Sequence, residues 1–287
     1  MTAGHFWDAT IVEALGGGRY RATIGEHWML AMVPQGGVLA AIAARAMEAE
    51  LGTGQSLRSI HGVFASPVPS GSVEVEVTIL RRGRSMSQAQ ATVRAPGAEA
   101  GFTALGAFGH ERHGFTFTEL AFPEVPEPAD CPSYRDPPPP ESGFPERPSF
   151  PFWLEVLEGR AAMGHPPWDH SPRGAAEVAT WFRFEQRPED PAGGFDQLAL
   201  LIAADMMPSA VFEKLGPTPG RWFAPSVDLT VHLVALPKGE WILNHNTAHY
   251  AGDGYASAQV ALWDPVGDDG PTLLAYGTQV MFFTAFD

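Results

Sequence analysis

The stretch Gly194–Phe212, GFDQLALLIAADMMPSAVF, decides how the second half of this chain folds. From Leu198 onward it is almost wholly apolar, which predicts a helix over residues 195–214 that is buried on most sides. One carboxylate, Asp205, lies in the middle of this helix. A lone carboxylate among apolar side chains costs several kcal/mol of desolvation unless it is hydrogen-bonded, paired or hydrated. Asp205 is therefore either part of a local polar cluster beside Pro208 or a functional group.

Charge and cysteine content exclude several classes of protein. The 287 residues carry a formal net charge of −15 with only two lysines, which argues against a nucleic-acid partner because phosphate binding needs a basic face. The single cysteine, Cys131, cannot form an intramolecular disulfide or a cysteine metal cage. No apolar run reaches the ~20 residues of a membrane span, and residues 1–7 lack the features of a signal peptide. We therefore expect a cytoplasmic protein with no membrane association.

The order of the predicted elements repeats. Residues 6–26 read as a hairpin around Gly16-Gly17-Gly18, and an apolar helix over 38–51 follows it. Strand-like segments come next, near 57–66, 72–82, 86–95 and 100–109. After residue 151 the pattern returns as a strand over 175–186, the helix at 195–214, and strands near 222–235, 240–250, 255–264 and 272–284. A duplicated unit explains this order, in which a long helix packs against an antiparallel sheet.

The two units are separated by a segment of different composition. Residues 119–151 contain eleven prolines, which predicts an extended connector that builds no core. The predicted division is an N-terminal unit over 1–118, a connector over 119–151 and a C-terminal unit over 152–287. Cys131 lies in the connector and is interpreted as an incidental thiol, since no base is predicted near it.

The halves differ where chemistry is possible. Alignment of Gly36 with Phe195 places Asp205 on Ala46, and alignment of the strands places Gln279 on Phe108 and Ser226 on Arg58. The second half thus has three small polar groups where the first has Ala, Phe and Arg. A carboxylate, an amide and a hydroxyl that converge can hold a water molecule, with the carboxylate as its general base. Common signatures of other enzymes, such as a phosphate loop, a dinucleotide fingerprint or a zinc-protease motif, are absent.

The sequence resembles the acyl-CoA thioesterase II family of double-hotdog proteins. The resemblance rests on Gly36–Ala41, Arg58–Phe64 and Leu80–Ser87 in the first half, and on Ala204-Asp205, Ser226–Asp228 and Leu274–Gln279 in the second. It implies an α+β fold of two tandem hotdog units, each a long helix wrapped by an antiparallel sheet. It also implies hydrolysis of an acyl-CoA by an activated water, without a covalent intermediate, a metal or another cofactor. The family's catalytic Asp and Gln fall on Asp205 and Gln279, and Ser226 stands where the family typically has Thr.

Three further residues are candidates for substrate binding. Gly36 and Gly37 begin the first helix, where a ligand could approach the backbone and a backbone N–H could receive an oxyanion. They equally suit a tight turn before a helix. Arg84, with Arg81 and Arg82, forms the one dense basic cluster and could meet the phosphates of CoA. These arginines could also be solvated turn residues.

Two other functions stay open from the sequence. A non-catalytic acyl or acyl-CoA binding protein would keep the scaffold but have a solvated or blocked Asp205. A hotdog hydratase or dehydratase would need a catalytic Asp/His pair, and Asp228 and His232 are one residue closer than the Asp-x-x-x-x-His spacing. The expected partner is a small acyl-CoA, and a homo-oligomer, a dimer of double hotdogs, is expected from the resemblance.

Overall fold

The computed structural model describes residues 6–30, 32–142, 150–166, 169, 171, 173–216, 221–267 and 270–286. In the first half these residues form the α-helices and strands α1 (Phe6–Thr10), β1 (Glu13–Gly16), β2 (Arg19–Ile24), β3 (Met29–Leu30), β4 (Val33–Pro34), α2 (Gly36–Leu51), β5 (Ser56–Phe64), β6 (Gly71–Arg81), β7 (Met86–Arg94) and β8 (Phe102–Gly109). The second half contains β9 (Leu157–Met163), β10 (Glu177–Phe184), α3 (Leu200–Ala204), α4 (Pro208–Leu215), β11 (Arg221–Phe223), β12 (Asp228–Leu233), β13 (Ile242–Gly252), β14 (Tyr255–Asp264), β15 (Thr272–Phe282) and β16 (Thr284–Phe286).

One continuous sheet joins the halves. Its 12 strands run in the order β1-β2-β6-β7-β8-β5-β12-β15-β14-β13-β10-β9, and every neighbouring pair is antiparallel. The halves meet where β5 pairs with β12, with Ile60 opposite Val231. Helix α2 packs on β6, β7 and β8, and α3 packs on β14 and β15. Both helices are buried because their sequences are apolar on nearly every side.

The predicted first hairpin is confirmed only in its second part. Strands β1 and β2 pair around a turn in which Gly16, Gly17 and Gly18 all have positive φ, the conformation that glycine adopts at no steric cost. Residues 6–10, predicted as strand, instead form helix α1. Phe6 is buried there against the ring of Trp28, with 6.2 Å between ring centroids, and the Thr10 hydroxyl donates to the carbonyl of Phe6. The short helix places its buried residues, Phe6, Ala9 and Thr10, in the core. A strand at the edge of the sheet would leave this face exposed.

The predicted helix over 195–214 is wrong at its centre, because the chain breaks there. Helix α3 ends at Ala204, Asp205 has φ −83° and ψ 54°, and α4 begins at Pro208. Proline has no N–H to continue the hydrogen-bond ladder and its ring would clash with the carbonyl of Ala204, four residues earlier, but it suits the first turn of a new helix. Asp205 therefore lies at a helix end.

The connector is buried more than its composition predicted. Phe122 and Val125 pack with Cys131 against Trp181 and Trp263 on the second half of the sheet, away from the main core. The expectation that this segment builds no core is therefore wrong, because a few apolar side chains suffice to cover a sheet face that already carries tryptophans. Strand β9, which the sequence did not predict, closes that edge of the sheet. Residues 143–149 of the connector lie outside the described residues, and the division at 118 and 151 stays a prediction.

The strand register revises one alignment between the halves. Ile60 pairs with Gly106 in the first half, and Val231 pairs with Gly277 in the second. The difference in residue number between the halves is therefore the same for both strands. This register keeps Gln279 on Phe108. Ser226, however, lies five residues before Val231, and the residue five before Ile60 is Gln55. Gln55 and not Arg58 therefore corresponds to Ser226. The alignment of Ser226 with Arg58 was wrong by three residues, a slip that the few identities could not prevent.

Candidate active site

The break after α3 turns the Asp205 carboxylate toward the first half of the chain. Its Oδ2 accepts a hydrogen bond of 3.0 Å from the backbone N–H of Gly37, in the first turn of α2. The residue is 8% exposed, so the carboxylate lies in the seam between the two helices with little contact to solvent. A helix N-terminus carries partial positive charge, which favours a carboxylate at this position.

Gln279 and Ser226 meet Asp205 from the sheet. Gln279, on β15, donates from Nε2 to Asp205 Oδ1 at 2.5 Å and to the Ser226 hydroxyl oxygen at 2.7 Å. Ser226, just before β12, donates to the same Oδ1 at 3.4 Å and is held by a backbone bridge to Met281. The structure thus brings together the three polar groups that the sequence singled out. Among the described residues, every hydrogen-bond partner of this carboxylate is neutral.

The environment changes the acidity of Asp205. Burial raises the pKa of its carboxyl to about 6, because desolvation disfavours the charged form. Hydrogen bonds from Gln279, from the backbone N–H groups of Gly37 and Gly36, and from Ser226 lower the pKa and partly offset burial. Asp205 is therefore mostly ionised at neutral pH, yet it is a stronger base than an exposed aspartate. A group with a pKa near the working pH is suited to general base catalysis.

Gly36 and Gly37 allow the helices to approach. A Cβ at Gly36 would lie 2.7 Å from Asp205 Oδ2 and 2.7 Å from the ring of Phe64, and one at Gly37 would overlap the backbone carbonyl of Leu201. The glycines are therefore explained by close contact between protein segments. Because the Gly37 N–H is engaged with Asp205, it is not free to receive an oxyanion as the sequence suggested. Contact of either glycine with substrate stays a prediction.

The structure does not bring Arg84 to Asp205. Arg84 lies in the turn between β6 and β7, where its carbonyl accepts from Gln55, and the neighbouring Arg82 donates to the carbonyl of Glu50. Glu50 is at the end of α2 opposite Gly37. With a rise of ~1.5 Å per residue, the helix separates the turn from Gly37 by about 20 Å. A role of Arg84 in binding phosphate stays a prediction.

Sequence reasoning missed two residues that contact the site. Gln35, directly before α2, donates from Nε2 to the backbone carbonyls of Ile202 and Asp205, both at 3.1 Å. Phe64, at the end of β5, presents its ring edge to Gly36 and contacts the ring of Phe102 in a tilted arrangement, with 4.7 Å between ring centroids. An amide that binds backbone carbonyls leaves no spacing signature. The signal for Phe64 was its place at the end of the strand segment Arg58–Phe64 that carries part of the family resemblance.

The described residues contain no group of three or more His, Cys, Asp or Glu side chains arranged to hold a metal ion. They also contain no helix that is both long and apolar enough to cross a membrane.

Comparison with known proteins places this architecture among the double hotdogs. A conserved protein of unknown function with a hot dog fold from Alicyclobacillus acidocaldarius is 25% identical, with a TM-score of 0.78 over 98% of both chains. The tesB protein of Mycobacterium avium subs paratuberculosis is 19% identical, with a TM-score of 0.73 over 97% of this chain and 98% of that one. The acyl-CoA thioesterase II TesB2 of Mycobacterium marinum is 18% identical, with a TM-score of 0.72 over 98% and 99%. The predicted α+β double hotdog is confirmed.

Sequence profiles identify the family. The profile of the acyl-CoA thioesterase N-terminal domain matches residues 24–109, and that of the C-terminal domain matches residues 128–283. No curated protein matches the chain in sequence. The two profiles cover most of the chain, so it belongs to the acyl-CoA thioesterase family, which confirms the resemblance seen in the sequence.

Proposed function

We propose that this protein hydrolyses an acyl-CoA to a free acid and CoA, with Asp205 as the general base that activates water. The observation that supports this most strongly is the buried Asp205 carboxylate, which is held by the backbone of Gly37 and by the side chains of Gln279 and Ser226. A carboxylate that served only stability would gain from a cationic partner. Neutral donors leave it able to take up a proton near neutral pH.

The proposed step begins with a water beside Asp205. The carboxylate accepts one proton of the water, and the Gln279 Oε1 accepts a hydrogen bond from the other hydrogen; this amide oxygen is buried and has no partner among the described residues. The water oxygen forms a bond to the thioester carbonyl carbon, and the C–S bond then breaks. The CoA thiolate leaves and takes up the proton that Asp205 received, directly or through solvent. The electron pair of the C–S bond stays on sulfur, so the step needs no redox partner.

The Asp205→Asn variant tests this proposal. Asparagine keeps the shape of the side chain but is not basic at neutral pH, so we expect thiol release from a medium-chain acyl-CoA to fall by about 10²- to 10⁴-fold. Far-ultraviolet circular dichroism of the variant should match that of the unchanged protein. Undiminished turnover in a folded Asp205→Asn variant contradicts the assignment. Tight acyl-CoA binding by the unchanged protein with no thiol release would favour the binding-protein alternative.

A further inference from the structure

The break in the second-half helix leaves several backbone carbonyls without their helical partners. In a continuous helix the carbonyls of Ile202 and Ala203 would accept from the N–H groups of Met206 and Met207. Here the Met206 N–H bonds instead to the carbonyl of Ala204, and Pro208, which would face that carbonyl in a continuous helix, has no N–H. A buried carbonyl that loses its hydrogen-bond partner is destabilising, so this break needs other donors.

Three buried amide side chains donate to carbonyls at the break. Gln35 donates to the carbonyls of Ile202 and Asp205 at 3.1 Å each. Asn244 donates to the carbonyl of Ala203 at 2.5 Å. Asn246 donates at 3.3 Å to the carbonyl of Met206, which also accepts from the Ser209 hydroxyl at 2.8 Å. Each of the three amides is at most 2% exposed. We call Gln35, Asn244 and Asn246 the amide clamp.

The amide clamp contacts the helix break from both halves of the chain. Asn244 and Asn246 lie at alternate, inward-facing positions of β13 and are joined by a hydrogen bond of 2.5 Å between their side chains. Gln35 comes from the other half, and it is separated from Gly37 by one residue. The segment 35–37 therefore holds Asp205 twice, because the Gln35 amide binds its backbone carbonyl and the Gly37 N–H binds its carboxylate.

We propose that the amide clamp positions Asp205, by holding the helix break in the conformation in which the carboxylate reaches Gly37, Gln279 and Ser226. This proposal rests on the proposed role of Asp205 as the base. Helix α3 has only five residues and could not fix its own end rigidly. Without the clamp, the Asp205 backbone could turn toward other conformations, and its carboxylate would lose donors.

The first half shows that the scaffold itself does not require such a clamp. Helix α2 runs unbroken for 16 residues through Ala46, the position aligned with Asp205. Gln55, beyond the far end of that helix, offers a matched control. It is a buried glutamine whose Nε2 also donates to two backbone carbonyls, those of Gly83 at 3.1 Å and Arg84 at 3.3 Å. Gln55 is remote from Asp205, so loss of its amide should cost stability without moving the carboxylate.

The experiment compares Gln35→Met with Gln55→Met in the full chain. Methionine keeps the size of the side chain and removes both donors. For Gln35→Met we expect kcat for a medium-chain acyl-CoA to fall about tenfold or more, since small displacements of a catalytic group are costly. We also expect the pH at which kcat is half-maximal to rise, because hydrogen bonds that lower the pKa of Asp205 are weakened. Gln55→Met should leave kcat and this pH unchanged.

A second readout does not depend on activity. The backbone amide resonance of Gly37 should follow the titration of Asp205 with a midpoint near 6 in the unchanged protein and in Gln55→Met. In Gln35→Met the midpoint should rise or the response should be lost. Asn246→Ser, which retains one donor, is the second variant if Gln35→Met does not fold, with the same expected direction.

The outcomes separate the two proposals. No thiol release by the unchanged protein, together with the expected Gly37 titrations, contradicts the proposed function and leaves the clamp supported. Equal kcat, equal pH dependence and an equal Gly37 titration in Gln35→Met and the unchanged protein would overturn the clamp.

Discussion

At two places in this molecule a carboxylate of the second half lies against helix α2 of the first half, and the two carboxylates have different partners. Asp205 ends α3 and meets the start of α2, where its partners are a backbone N–H, an amide and a hydroxyl. Asp196 precedes α3, accepts from the N–H of Leu198 at 3.1 Å, and forms an ion pair with Arg45 in the middle of α2. Arg45 is adjacent to Ala46, which aligns with Asp205, so the two contacts stand at corresponding points of the two units.

The difference shows how one scaffold can carry a stabilising contact and a reactive one. At Asp196 a guanidinium, which also lies 4.3 Å from the centroid of the Trp7 ring, compensates the buried negative charge. At Asp205 neutral donors compensate it only in part, and the pKa rises to about 6. The charge of Asp196 is thus matched by an opposite charge, whereas the incompletely stabilised Asp205 carboxylate can accept a proton near neutral pH. Removal of the Arg45 guanidinium should therefore lower stability, whereas removal of the Asp205 charge should raise it.

The largest effect on stability is expected for Arg45→Met. The side chains of Arg45 and Asp196 are 13% and 2% exposed, and Arg45 also pairs with Glu48 at 3.2 Å. The variant therefore leaves the buried Asp196 carboxylate, and Glu48 beside it, without this cationic partner, which costs about 3–5 kcal/mol of unfolding free energy. Urea unfolding at pH 7 measures the loss. The kcat of the folded variant should stay unchanged, because Arg45 is not among the partners of Asp205. A loss below about 1 kcal/mol, the range of surface pairs, would show that the Arg45 pair is not the stabilising member of the comparison.

A smaller effect of opposite sign is expected for Asp205→Asn. The pKa of Asp205 in the folded protein, about 6, exceeds its ordinary value of 3.8. The contribution of Asp205 to the free energy of unfolding is therefore most favourable below its ordinary pKa and falls as pH rises from 3.8 to about 6. Above about 6 the buried carboxylate is ionised and the loss of stability is complete. This shift is equivalent to at most about 3 kcal/mol. Asp205→Asn should be more stable than the unchanged protein at pH 8, and the gain should shrink at pH 4.

Unfolding in urea at both pH values measures this difference. The other titrating groups, including Glu48, whose pKa burial raises to about 7, are common to both proteins and cancel. A difference in stability that is the same at pH 8 and pH 4 would contradict the raised pKa of Asp205.

The smallest effect is expected at Ser226. Its hydroxyl lies 3.4 Å from Asp205 Oδ1 and accepts from Gln279, so Ser226→Ala should lower kcat about tenfold, the value of one hydrogen bond of about 1.4 kcal/mol. Ser226→Thr keeps the hydroxyl and should retain most of the activity. Steady-state thiol release measures both variants. Equal activity in the alanine and threonine variants would remove Ser226 from the site.

The sequence predicted the fold and the three polar site residues for identifiable reasons. The alternation of Val73, Val75 and Val77 with polar residues predicted a strand that is buried on one face, and the apolar run at 38–51 predicted the helix. Asp205 was conspicuous because a carboxylate in an apolar run is costly. Gln279 followed from the comparison of the two halves and from the family resemblance. Ser226 followed from the resemblance, because its alignment with Arg58 was wrong.

What the sequence could not predict depends on long-range packing. Hydrophobic periodicity continues through Asp205, so it concealed the helix break that Pro208 could have suggested. Tertiary burial of Phe6 turned a predicted strand into α1. The amide clamp left one signal that went unused: Asn244 and Asn246 alternate on an otherwise apolar strand face, where a buried amide needs a partner. Which carbonyls they bind follows only from the assembled fold.

The most direct test of the account is the pH dependence of kcat for the unchanged protein on a medium-chain acyl-CoA. If Asp205 is the base, only its ionised form is active, and its pKa is raised by burial to about 6. We expect kcat to rise about tenfold per pH unit well below 6 and to level off above 7. A kcat that is constant from pH 4.5 to 8, or that falls as pH rises through 6, would contradict the assignment of Asp205 as the general base.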